Sequence, residues 1–170
     1  MKRVIVIVAF MAIAFMANAQ SFTIDKGELL WQHKFDADLN ATDIVKAMHM
    51  SGKFTDIEII DTSFIAATIM PIATNYENLG YRRMNIPLYV SNNDFGPSKV
   101  IIQIQPGSYR ATVINIRLTG ISSSTLNGGT LKLYALTDGK FDPIFLKEPV
   151  DIYHTALMNL LTFEQVENDW

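Results

Sequence analysis

From Lys99 the chain alternates apolar and polar positions. Val100, Ile102 and Ile104 fall on one side, and Lys99, Gln103 and Gln105 on the other. After Pro106-Gly107, a tight-turn pair, the alternation resumes from Tyr109 to Leu118. There Ile114, Ile116 and Leu118 share one side, opposite Asn115 and Arg117. Period-two patterning across a two-residue turn predicts a β-hairpin. Its apolar side, Ile102, Ile104, Ile114 and Ile116, is expected to pack beneath helices, with Leu157 and Leu160 in the same core.

Other segments carry the same period. Glu28 to Phe35 predicts a first strand. Phe54 to Ile60 predicts another, with Ile57 and Ile59 inward and Asp56 and Glu58 outward. Asp61-Thr62 is a turn. Ser63 to Ile72 is apolar on both sides, which predicts a central strand covered on both faces. Asn127-Gly128-Gly129 and Asp138-Gly139 bracket Thr130 to Leu136, a further predicted strand that Phe141 to Leu146 would pair. Between Asn75 and Pro97 the pattern breaks up under Asn, Gly and Pro, with a short strand predicted at Ile86 to Val90. An excursion of this length fits a functional loop or a structural meander.

Helical spacing occurs twice. Asn40 suits an N-cap, with Asp43 three residues on and favourable to the helix dipole. Ile44, Val45 and Met48 then share a face, and Gly52 sits where a C-cap glycine belongs. Near the C-terminus a helix is expected from Asp151, with Tyr153, Ala156, Leu157, Leu160 and Leu161 in phase. Thr162-Phe163-Glu164-Gln165 has the form of a capping box and predicts a second short helix. Runs of strands without alternating helices predict an α+β fold: an antiparallel sheet with helices packed on one face.

The first twenty residues change the picture. Lys2 and Arg3 precede an uncharged apolar run from Val4 to Met16, and Ala17-Asn18-Ala19 follows. That order predicts a secretory signal peptide over residues 1–19, leaving one α+β domain over 20–170 that begins at Gln20. The apolar run is short for a membrane span, so no stable span is expected after cleavage. No cysteine is present to carry a lipid anchor or a disulfide. A cysteine-free exported domain points to a bacterial protein, periplasmic or extracellular. Loss of Lys2 and Arg3 takes the formal charge from −3 to −5. An acidic chain is a poor generic partner for nucleic acid.

Candidate chemistry is sparse. His33, His49 and His154 share no metal-ligand spacing with one another or with a carboxylate, so no metal and no cofactor is expected. No Gly-x-Ser-x-Gly elbow occurs, and Asp36 with Asp38 and Asp56 with Glu58 read as solvated pairs. No catalytic residue is assigned. Charge is unevenly spread, however. From Tyr76 to Arg117 five Lys/Arg oppose two acids, and from Asp138 to Trp170 two Lys oppose seven acids. Tyr81, Arg82, Arg83, Arg110 and Arg117 are the candidate partner-binding residues, because arginine and tyrosine favour contact surfaces. They are expected to be accessible and to form one patch.

Gly27-Glu28-Leu29-Leu30-Trp31, the helix ending at Gly52 and the hairpin from Lys99 to Leu118 carry a family resemblance. Together with a leader ending in Ala-Gln, the chain resembles uncharacterised exported proteins of Bacteroidetes that adopt a fold like the TATA-box-binding protein. The resemblance spans Glu28 to Gly120 and the final helix. It implies a curved antiparallel sheet with helices across one face, and it implies no catalytic residue, since fold does not fix function.

The sequence thus predicts an exported, non-catalytic binding or accessory domain whose partner is a protein or a cell-envelope polymer. Two other classes stay open. One is a carrier of a small apolar ligand, with Met48, Met50, Met70 and Met84 as adaptable lining. The other is a hydrolase without a recognisable motif.

Overall fold

The computed structural model describes residues 21–120 and 129–164. The predicted signal peptide therefore lies outside the described residues, as does the end of the capping box at Gln165. Six strands form the main sheet: β1 (Phe22–Asp25), β2 (Glu28–Phe35), β3 (Phe54–Asp61), β4 (Phe64–Ile69), β6 (Ser98–Gln105) and β7 (Ser108–Ile114). Their spatial order is β1-β2-β7-β6-β4-β3, and every pairing is antiparallel. Two small ribbons sit beside it. One pairs β5 (Asn93–Phe95) with β8 (Leu118–Gly120), the other β9 (Leu136–Thr137) with β10 (Lys140–Phe141). The long helices are α1 (Ala41–Ser51) and α2 (Glu148–Leu161). No helix among the described residues is long and apolar enough to cross a membrane.

Local chemistry explains both helix boundaries. The Asn40 side chain accepts from the backbone N–H groups of Thr42 and Asp43, while the Asp43 carboxylate accepts from the Asn40 N–H. Gly52 closes α1 with φ 62°, a conformation that costs glycine little. The second helix starts three residues before the expected Asp151, because Pro149 is well suited to a first turn that needs no N–H partner. Its far end is tied to the sheet. The Tyr109 hydroxyl donates to the Leu161 carbonyl at 2.8 Å and accepts from the Phe163 N–H at 2.9 Å. Thr162 donates back to Met158 at 2.8 Å.

Both helices lie on one side of the sheet. That side contributes Trp31, Phe35, Tyr109, Ala111, Val113, Val100, Ile102, Ile65, Ala67 and Ile69, all buried in one cluster with Ile44, Met48, Leu157 and Leu160. The α+β class, the antiparallel sheet and the one-sided helix layer are those the sequence predicts.

Several local expectations are corrected. Ile102 and Ile116 are buried and Ile104 is half-buried, but Ile114 lies on the other side of β7, opposite Lys99. Tyr109, Ala111 and Val113 take the inward positions instead. Asn115, at φ 51°, then turns the chain so that Ile116 re-enters the core. Strand β4 is covered on one face only: Ile65, Ala67 and Ile69 are buried, whereas Phe64, Ala66 and Thr68 are not. Strand β3 is an edge, and a bulge at Asp56 (φ 51°) leaves Ile59 and Ile60 more than half exposed. The strand expected at Ile86–Val90 is a helical turn over Leu88–Ser91, and Thr130–Leu136 is mostly a helical turn over Lys132–Ala135. Strand β1, joined to β2 through Lys26-Gly27, precedes the expected first strand. Gly96 is needed where β5 meets β8, since a Cβ there would stand 2.6 Å from the Thr119 hydroxyl.

Candidate functional site

The face of the sheet turned away from the helices is open. Among the described residues nothing buries it: none of its side chains falls into the core, and Gln32, Lys34, Lys99 and Arg110 are exposed. Register places its residues in three rows. The first runs Leu30, Ile114, Lys99, Thr68; the second Gln32, Thr112, Ile101, Ala66, Glu58; the third Lys34, Arg110, Gln103, Phe64, Asp61. Leu30, Ile114, Ile101, Ala66 and Phe64 therefore form a diagonal apolar stripe. Lys99 stands on one flank of that stripe, and the adjacent Lys34 and Arg110 on the other. Gln32 donates to Thr112 at 2.8 Å, which fixes the middle row. Lys34 lies 3.3 Å from Asp36, an exposed pair that leaves the amine accessible.

A second region lies in the helix layer. The chain from Pro71 to Leu79 and the α2 residues Thr155, Ala156, Asn159 and Leu160 enclose a cleft of about 430 Å³, with Lys53 at its side. An adjoining cleft of about 240 Å³ shares Thr74, Asn75 and Asn78 and adds Tyr76, Glu77 and Asp94. Burial raises the pKa of the Asp94 carboxyl, with the Thr74 backbone N–H opposing that shift.

A third feature joins β2 to α2. The Trp31 indole N–H donates to His154 Nδ1 at 3.1 Å, and the His33 ring centroid is 6.0 Å from that of His154. Indole can only donate, so Nδ1 must be unprotonated. Burial first, and the neighbouring His33 second, lower the pKa of His154, while Asp151 acts against them. No group of metal-ligating side chains is found among the described residues.

The residues singled out from sequence are dispersed. Arg82, Arg83, Arg110 and Arg117 are exposed and Tyr81 is half-buried. Arg110 belongs to the open face. Tyr81 lies near Asp151 and Glu148 at the start of α2, in the helix layer, and burial first, then those carboxylates, raise its pKa. Arg83 donates to the Asn92 side chain at 2.8 Å. Arg117 sits at the junction of β6 with the small ribbon, where its backbone N–H donates to the Ser98 hydroxyl. The structure thus groups Tyr81 with Arg82 and Arg83, and Arg110 with Lys34, on different layers. Sequence reasoning passed over Lys34, Leu30 and Ile101, whose outward phase in β2 and β6 was the available signal. It also passed over the Thr155/Asn159 pair, two polar residues four apart in the second half of the helix. Of the four methionines considered as cavity lining, Met48 is packed in the core and Met50, Met70 and Met84 point outward.

No family model and no curated protein matches the chain. Among solved structures it is similar to a DUF4468 family protein from Bacteroides ovatus, with TM-score 0.47 and 11% identity over 87% of this chain and 94% of that one. It is also similar to a TBP-like protein from Parabacteroides distasonis, with TM-score 0.46 and 8% identity over 85% of this chain and all of that one. Structural neighbours of the chain thus include a DUF4468 protein and a TBP-like protein, both from Bacteroidetes.

Proposed function

We propose that the chain is an exported, non-catalytic binding module that holds an acidic protein partner against the open face of its sheet. One observation carries this reading: an apolar stripe, flanked by Lys34 and Arg110 on one side and Lys99 on the other, on a face that no described element covers. Nine of the fourteen positions in the three rows are polar, and the apolar ones gather in one continuous stripe instead of scattering. Here five apolar side chains run corner to corner. Burying them would supply affinity, and the flanking cations would select and orient an acidic segment. The predicted leader supports export. The dispersal of the methionines weakens the carrier reading.

The test is capture from a cell-envelope extract by immobilised protein starting at Gln20, with hydrogen exchange mapping the contact. The expected result is protection of β2, β6 and β7 by an acidic protein, weakened by added salt. Protection confined to the helix side, or capture of nucleic acid instead of protein, would overturn the proposal.

A further inference from the structure

The cleft beside α2 presents a different chemistry from the open face and lies in the other layer. Six polar side chains line it: Lys53, Thr74, Asn75, Asn78, Thr155 and Asn159. None of them donates or accepts a side-chain hydrogen bond with another described residue. Thr74 is only 5% exposed, and its hydroxyl has no protein partner among the described residues and opens to the solvent of the cleft. Asn75, Asn78 and Asn159 are exposed to the solvent of the cleft, which leaves their carboxamides open to an occupant. Asn75 occupies the N-cap of the Tyr76–Leu79 turn, where an asparagine side chain ordinarily accepts from the next N–H groups, yet it makes no such bond. It also holds φ 50°, a conformation asparagine tolerates better than most residues. Three residues on, the Asn78 backbone N–H donates to the Asn75 carbonyl at 3.0 Å, closing the turn that carries both side chains. Across the cleft, Thr155 and Asn159 stand one turn apart on α2, beside the apolar pair Ala156 and Leu160.

We propose that this cleft binds a neutral saccharide. Each carboxamide offers two donors and an acceptor, and each hydroxyl offers both functions. Vicinal sugar hydroxyls also donate and accept, so they match that set. A carboxylate would only accept, and a phosphate dianion has a single donor, so either would leave most of the amide oxygens unpaired. It would also approach Glu77 and Asp94 across the adjoining cleft with Lys53 as the sole cation in the lining. An apolar occupant would dehydrate the amides without replacing their hydrogen bonds, which is unfavourable. Ala156, Leu160 and Ile72 give the C–H face of a sugar ring something to rest on. The volume lies within the range of small-molecule sites, roughly 300–1,000 Å³. The adjoining cleft, with the Tyr76 ring, extends the site toward a second sugar unit.

The experiment follows the side-chain amide signals of Asn75, Asn78 and Asn159 by NMR in the chain from Gln20. The probes are glucose, N-acetylglucosamine, maltose and cellobiose, with inorganic phosphate and laurate as the competing classes. At least one neutral sugar should move these signals saturably. Asn75→Gly, which keeps the positive φ accessible, and Asn159→Ala should each weaken that binding about tenfold or more, with the melting temperature unchanged. Amide signals that no sugar moves, or that phosphate or laurate moves instead, would overturn the proposal. So would sugar affinity retained in both variants. Capture on the open face is unaffected either way.

Discussion

Ile101 and Ile102 are chain neighbours on β6 with opposite fates. Ile102 is fully buried beneath the helices, and Ile101 stands on the open face between Thr112 and Ala66. The covered face is apolar almost throughout and closes over aromatic rings, including Phe35 and Tyr109, stacked at 4.8 Å. The open face mixes apolar residues with Lys34, Lys99, Arg110, Gln32 and Gln103. Alternation alone makes both faces, but among the described residues only the first has its complement. The second carries five half-buried apolar side chains in one stripe, and that stripe is the physical ground for proposing a partner there.

The contrast predicts unequal mutational effects. Ile102→Ala should destabilise by about 2–5 kcal/mol through lost burial and a residual cavity. Ile101→Ala, one residue away, should cost under about 1 kcal/mol. Denaturant titration of both variants breaks the comparison if the two losses are equal. Tyr109→Phe comes next. It strips partners from the Leu161 carbonyl and the Phe163 N–H, both at the covered end of α2. A loss of roughly 1–3 kcal/mol is expected, with premature fraying of the helix end in hydrogen exchange.

The smallest stability effect on the covered side is acid sensitivity. The pKa of His154 is lowered in the folded protein, so the unfolded chain takes up that proton first as pH falls. Its contribution is fully present above the ordinary histidine value of 6.5 and is lost progressively below it. His154→Gln keeps an acceptor for the Trp31 indole and should flatten the acid limb of a stability-versus-pH curve. An unchanged limb would remove His154 from the account.

Legibility followed the range of the signal. The N-cap at Asn40, the C-cap at Gly52 and the Pro106-Gly107 hairpin turn are decided within a few residues, and all were readable. Ile114 was assigned to the wrong face because Asn115 adopts a left-handed conformation that no alternation rule anticipates, and the Asp56 bulge disturbed β3 in the same way. Apolar residues on both sides of β4 looked like a doubly covered strand, since the pattern cannot distinguish a helix from an absent partner. The cleft was invisible for another reason. Its two walls, Pro71–Leu79 and Thr155–Leu160, lie about eighty residues apart, and only packing brings them together. The candidate arginines were found as a compositional excess, which says nothing about the layer each one joins.

The double variant Lys34→Gln/Arg110→Gln tests the central claim most directly, measured for stability and for capture on the same sample. Both side chains are exposed, so unfolding free energy should stay within about 0.5 kcal/mol of the parent. Capture of the acidic partner should fall sharply and its salt dependence should weaken, Lys99 being the flanking cation that remains. Undiminished capture by a stably folded double variant would contradict the assignment of the open face as the binding surface.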